Sequence, residues 1–308
     1  MNTGRKLGYG VGAALAFLTV MLVTVIVIIG ASASSVEDPG YVDRVKSWQA
    51  EREENLQKDT SWLTVAGLFW LREGENWVGT ATSNDFVLPE DSAPAIVGVF
   101  KFHDRKATFH AEDGVTITQD GKPIQAVELE MGEKHAIAIN ELKMWLHYSG
   151  ERLAIRLRDL NASYRKEFAG LDWYPVDPKF RVQAKFTPHA EEKKVEMLNI
   201  LGDIEVFEVV GYVDFELQGQ KVRMEAEKAR EGTLKFTFRD GTSGKGSYPA
   251  ARFLRTEAPE NGKVVIDFNR AYNPPCAYNP HTTCPMPTKE NRLEIRIEAG
   301  EKNYGKHS

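Results

Sequence analysis

The stretch DFNRAYNPPCAYNPHTTCP, residues 267–285, holds both cysteines of the chain, four prolines and three asparagines, with Arg270, two tyrosines and His281. These side chains coordinate, stack or hydrogen-bond, and their density marks the first place to look for chemistry. Cys276 and Cys284 lie eight positions apart. In an exported protein, which the N-terminus described below argues for, that spacing most simply forms a disulfide. Closing a loop of about nine residues would stabilise by roughly 2–3 kcal/mol in the chain-entropy account. A second chemistry is a metal site. Cys276, His281 and Cys284 are three soft or borderline ligands, the number a catalytic zinc uses when one position stays open. No C-x2-C pair and no second cluster supplies a fourth ligand, so neither a metal nor a cofactor is assigned. A third is nucleophilic catalysis, in which His281 would have to hold a cysteine as thiolate.

Asp267, Asn269, Arg270, Tyr272 and Asn273 follow the apolar run KVVIDF. Strand alternation sends Asp267 and Asn269 to one face and Ile266, Phe268 and Arg270 to the other. A carboxylate beside an amide at a strand end suits ligand binding, and equally suits pinning a long loop through side-chain-to-backbone bonds. A further polar group is GERLAIRLRD, where Arg152, Arg156 and Arg158 share strand parity. They line either a solvated sheet face or a clamp for a carboxylate or phosphate. RDGTSGKGS lacks the first glycine and the final Ser or Thr of a phosphate loop and reads as a hairpin turn. No G-x-S-x-G and no H-E-x-x-H occurs.

The elements that must position these residues are mostly strands. From Trp62 onward the chain runs in short apolar/polar alternations, including LKFTF, KVVIDF and LEIRIEA. Asp113-Gly114 and Asp120-Gly121 are hairpin signals, and Ser149-Gly150 is a turn. No βαβ alternation is present, so the fold class is mainly β: an antiparallel sandwich or barrel. Ahead of it, over residues 37–60, Val42, Val45, Trp48 and Gln49 recur at helical spacing and predict a short amphipathic helix. Two β subdomains are expected, residues 61–160 (sandwich-like) and 161–308, the second carrying the Pro/Asn/Cys loop.

The N-terminus sets the compartment. Arg5 and Lys6 precede an uncharged apolar run, Val11 to Ala31, of 21 residues. At ~1.5 Å per residue this spans a hydrocarbon core of ~30 Å as one transmembrane helix. Positive charge before it and EDPGYVD after it keep the N-terminus inside and the main domain outside the cytoplasmic membrane. Residues 1–36 are thus an anchor and tether. Secretion after cleavage near Ala33 is the alternative, since Ala31-Ser32-Ala33 looks like a cleavage site; the apolar run exceeds the ~7–15 residues of a signal peptide. The chain carries 39 basic and 44 acidic residues, a net charge of −5. With no basic stripe, nucleic acid is excluded as a partner.

Two resemblances follow from these residues. NDFVLP, DGKPI and LEMGEKHAIAINELKMWLHY are similar to a forkhead-associated sandwich. That domain reads phosphothreonine through an Arg, a Ser and an Asn at set loop positions, which the sequence does not let one place; the likeness implies a β-sandwich alone. WLTVAGLFWLREGENWVGT, WYPVDPKFRVQAKF, FRDGTSGKGSYPAARFL and DFNRAYNPPCAY…TCPMPTKENRLEIRIEAGEK resemble a family of bacterial and archaeal proteins catalogued as a domain of unknown function, over about residues 45–305. That resemblance implies one intact domain unit and no particular activity. Two functions are carried forward. One is a membrane-anchored, extracytoplasmic binding or envelope-associated module for a small molecule or envelope component. The other is a hydrolase-like or metal-assisted enzyme using Asp267, His281 and the cysteines, which requires those groups to converge on one pocket.

Overall fold

The computed structural model describes residues 38–305. The expected membrane span, residues 11–31, and the tether up to residue 36 lie outside them. Among the described residues no helix is long and apolar enough to cross a membrane.

The first long element is α1 (Tyr41–Leu56). It buries Tyr41, Val45 and Leu56, with Trp48 and Arg52 half-buried on the same side. Val42, expected on the buried face, is exposed. The inward stripe is set by 41, 45, 48, 52 and 56, and it carries an arginine.

Eleven strands follow: β1 (Val65–Trp70), β2 (Gly74–Gly79), β3 (Phe86–Val87), β4 (Gly98–His103), β5 (Lys106–Ala111), β6 (Ile117–Gln119), β7 (Lys122–Ile124), β8 (Ala126–Glu128), β9 (Ile137–Ile139), β10 (Leu142–Ser149) and β11 (Arg152–Asp159). They form two sheets, ordered β1-β11-β10-β9-β6-β7 and β3-β2-β4-β5-β8. Phe100, Phe109, Ile117, Ile137, Met144, Ile155 and Leu157 are buried in one core contributed by both sheets. Asp120 and Gly121 both take positive φ, the geometry of a two-residue hairpin between β6 and β7. Asp113-Gly114 instead carries the chain from β5 in one sheet to β6 in the other, so it is a crossover turn and not a hairpin.

After α2 (Ser163–Lys166), a single turn, six strands build the second half: β12 (Arg181–Leu198), β13 (Ile204–Leu217), β14 (Gln220–Lys228), β15 (Leu234–Phe238), β16 (Arg252–Thr256) and β17 (Lys263–Asp267). Their order is β16-β15-β14-β13-β12-β17, antiparallel throughout. The sheet curls until its two end strands, β16 and β17, touch each other, giving a half-barrel. Val213, Phe215, Met224, Phe236, Phe238, Ile266 and Phe268 fill it. LEIRIEA, expected as a strand, joins no ladder. Ile295, Ile297 and Ala299 are nevertheless buried in this core while Arg296 and Glu298 stay exposed. Period-two alternation reports which side faces apolar neighbours, and it held here without strand pairing.

Candidate functional site

β17 ends at Asp267, whose Oδ1 accepts from the Asn269 amide at 3.1 Å and caps a 3-10 turn over Phe268–Arg270. Strand parity therefore stops at Asp267. The turn swings Asn269 inward to 1% exposure. Its Oδ1 accepts from the Asp177 amide at 3.0 Å, and its Nδ2 donates to the Asp177 carbonyl and the Tyr41 hydroxyl, both at 2.9 Å. Tyr41 in turn donates to Asp267 at 2.7 Å. Burial and the Asp267 charge hold the Tyr41 hydroxyl well above its ordinary range, so it remains a donor. Asn269 thus pins the loop to α1 and to the segment before β12.

Arg270 goes the other way. It half-emerges into a cleft of about 1040 Å³ between α1 and the β16/β17 end of the half-barrel. Tyr41, Arg44, Trp48 and Arg52 form the helical wall. The sheet wall includes Arg181, Arg255, Lys263, Val265, Asp267 and Tyr272. Tyr272 bridges to β16 by two backbone bonds with Phe253, of 2.8 and 2.9 Å. Its hydroxyl accepts from Arg255 Nε at 3.1 Å, and the Arg52 guanidinium lies over its ring at 4.5 Å. Arg181 pairs opposite Asp267 in the sheet and stacks over Tyr41 at 5.3 Å.

Of the residues singled out by sequence, Asp267, Arg270 and Tyr272 share this cleft. The others do not. Asn273 is buried, donating from Nδ2 to the Lys302 carbonyl at 2.7 Å, and works on the loop interior. His281 lines a separate cavity of about 560 Å³ with Asp159, Asn161 and Tyr164, and burial lowers its pKa. Cys276 and Cys284 are two free, buried thiols, so the expected disulfide is not formed in this structure. The Cys276 amide donates to Cys284 Sγ at 3.1 Å, a contact that packs the loop without a covalent bond. No group of three or more metal-ligating side chains occurs among the described residues. With Asp267 and His281 on different cavities, the convergence that the enzyme reading needs is not met.

The arginine row on β11 is not a clamp: Arg152 is exposed, Arg156 and Arg158 are buried, and each has its own partner. Arg152 makes a two-point pair with Asp203, at 2.8 and 2.6 Å, and lies over Trp70 at 3.7 Å. Arg156 is buried, with Nη2 2.8 Å from His147 Nε2. Arg158 forks onto Glu133 with two bonds of 2.7 Å. Segments distant in sequence divide the row: Arg158 also donates to the Asp59 and Ser61 carbonyls past α1, His147 meets Thr283 of the loop, and Arg152 meets Asp203.

Sequence reasoning missed Arg181, Arg255 and the α1 wall. Positions 41, 44, 48, 51/52 and 55 follow a helical spacing of three and four, and that polar face was the available signal.

Residues 166–302 match the family described as "Protein of unknown function (DUF1684)". The chain is 33% identical to the uncharacterized protein from gene locus rrnAC0354 of Haloarcula marismortui, solved by solution NMR, over 46% of this chain and 81% of that one, with a TM-score of 0.40. Two forkhead-associated structures also match at 18% identity and a TM-score of 0.22. One comes from a structural and functional study of phosphothreonine-dependent FHA domain interactions, covering 29% of this chain and 79% of that one. The other is the FhaA FHA domain complexed with the intracellular domain of Rv3910, covering 29% and 84%. Likenesses of that size carry no argument about binding. No match was found among curated proteins. The matched segment contains most of the half-barrel wall of the cleft and the whole 267–285 loop, and the chain belongs to the DUF1684 family.

Proposed function

We propose that the protein is a membrane-anchored, extracytoplasmic binding module whose ligand site is the cleft between α1 and the β16/β17 end of the half-barrel. The observation that carries this reading is the convergence of Asp267, Arg270 and Tyr272 with the α1 residues Tyr41, Trp48 and Arg52 on one cavity. A binding site needs a few polar groups aimed into a concave surface that also offers apolar and aromatic contact. The anchoring rests on the apolar run at residues 11–31 and its flanking charges, which argue for the cleft lying outside the cytoplasmic membrane. The ligand is a small molecule or an envelope component.

Two measurements test it. A reporter fused after Ser308 should be active only outside the cytoplasm; cytoplasmic activity would refute the topology. Full-length protein extracted from membranes in nonionic detergent should carry a retained ligand in native mass spectrometry. Val265→Trp, which fills the cleft from an exposed position on β17, should abolish that retention. A ligand that stays bound in the Val265→Trp chain places the site elsewhere.

A further inference from the structure

Most cations of the cleft lack a close carboxylate partner. Several arginines outside it meet carboxylates closely: Arg223 with Asp214 at 2.7 Å, Arg252 with Asp240 at 2.5 Å, Arg152 with Asp203 at 2.6 Å. In the cleft only Arg44 and Arg52 are spoken for, by Asp38 and Glu301. Among the described residues Arg181, Arg255 and Lys263 have no carboxylate within 4.0 Å, although Glu51, Glu257 and Glu260 also line the cavity. Arg270 approaches Asp267 only to 3.8 Å, beyond hydrogen-bond reach. That Nε is buried and has no hydrogen-bond partner.

A buried N–H without an acceptor costs free energy, and native structures keep few of them. A guanidinium donates in a planar fork that matches two oxygens of one carboxylate or phosphate. The Arg255 guanidinium is steadied by the Tyr272 hydroxyl two residues past Arg270, and Arg181 stands across the ladder from Asp267. Three guanidinium groups therefore line the cavity with donors to spare. The carboxylates on the β16–β17 turn and on α1 limit the total negative charge that fits beside them.

Resting on the cleft as the ligand site, we infer that it takes a compact oxyanion, a single carboxylate or phosphate group seated between Arg270, Arg255 and Arg181. The group can come from a free small molecule or from a lipid headgroup, since both present the same oxygens to the fork.

The test uses the full chain in nonionic detergent, titrated calorimetrically with inorganic phosphate, with citrate and with glucose as a neutral control. Vesicles of phosphatidylglycerol and of phosphatidylcholine are run in parallel by flotation. Saturable binding of phosphate or citrate, weakened by added salt, supports the inference and identifies a free anion. Capture by phosphatidylglycerol vesicles alone, lost in Arg270→Gln, supports it and identifies a headgroup. Arg270→Gln and Arg255→Gln should each weaken binding by about tenfold or more, the usual worth of a charge-assisted hydrogen bond, while Arg223→Gln changes nothing. Unchanged melting of Arg270→Gln guards against a folding artefact. Binding that survives both substitutions, or no saturable binding of any oxyanion probe, overturns it. A neutral ligand retained by the native protein and expelled by Val265→Trp would leave the cleft as the binding site and sink the oxyanion alone.

Discussion

Arg52, on α1, and Glu301, near the C-terminus, form a buried ion pair with Nε 2.8 Å from Oε2. Glu301 is fully buried, and its other oxygen accepts from the Tyr278 hydroxyl. Arg52 also donates to Tyr278 at 2.7 Å and to the Asn273 carbonyl at 3.1 Å, so one guanidinium ties the helix to the Pro/Asn/Cys loop. Burial opposes the charge on Arg52, and Glu301 more than offsets it, raising its pKa. Burial likewise pushes the Tyr278 hydroxyl up, keeping it a donor.

Arg52→Met should therefore destabilise the fold by about 3–5 kcal/mol, because it strands a buried carboxylate. Urea unfolding would measure it. Adding Glu301→Gln to that variant should recover part of the loss, and a double variant no better than the single one would mean the pair is not the cause.

Asn269 and Arg270 are neighbours with opposite duties. Asn269→Ala should cost about 1–3 kcal/mol by stranding its buried partners. Arg270→Ala, which breaks no bond shorter than 3.8 Å, should stay within about 0.5 kcal/mol of the native protein. Thermal melts of the two variants decide this; a collapse confined to Arg270→Ala would reverse the roles.

Thiol accessibility follows from burial. Cys276 is 9% exposed and Cys284 3%, so a maleimide should label neither in the native protein. Denaturing without reductant should then reveal two reactive thiols per chain. Mass spectrometry that finds none would indicate that the pair had oxidised to a disulfide.

His147 gives a pH dependence with a fixed sign. Burial and the adjacent Arg156 guanidinium push its pKa down to about 3, against 6.5 for the unfolded chain. Below pH 6.5 the unfolded state takes up a proton that the folded state refuses. This contribution to stability is thus complete above that value and is lost as pH falls towards 3. His147→Gln, which keeps an acceptor for Arg156, should show a shallower decline in unfolding free energy between pH 7 and pH 4, a range chosen from roughly the ordinary histidine titration. An unchanged slope would assign the titration to other groups.

Much of this protein was legible in its residue pattern. Alternation in LKFTF and KVVID and the Asp120-Gly121 turn are local, and local sterics with one apolar side suffice to make strands and hairpins. The loop at 267–285 was legible by composition, and the structure does bring Asp267, Arg270 and Tyr272 of it to one cleft. Alternation also predicted inward Ile295 and Ile297, since burial needs only a consistent side.

What the tertiary structure decided was partnership. Parity put Asn269 with Asp267 on a strand face, but Asp267 caps a 3-10 turn over Phe268–Arg270, and that turn redirects the side chains on it. The β11 arginines share a face by parity, yet Asp203, His147 and Glu133 come from distant segments and divide them. Arg181 and Arg255 sit 74 residues apart in the chain, on β12 and β16. They line one cavity only because the half-barrel curls its sheet until the ends meet. Side-chain type and local spacing are properties of neighbours in sequence. Which charges go unpaired depends on every segment that folds against them, and that was settled only when the sheet closed against α1.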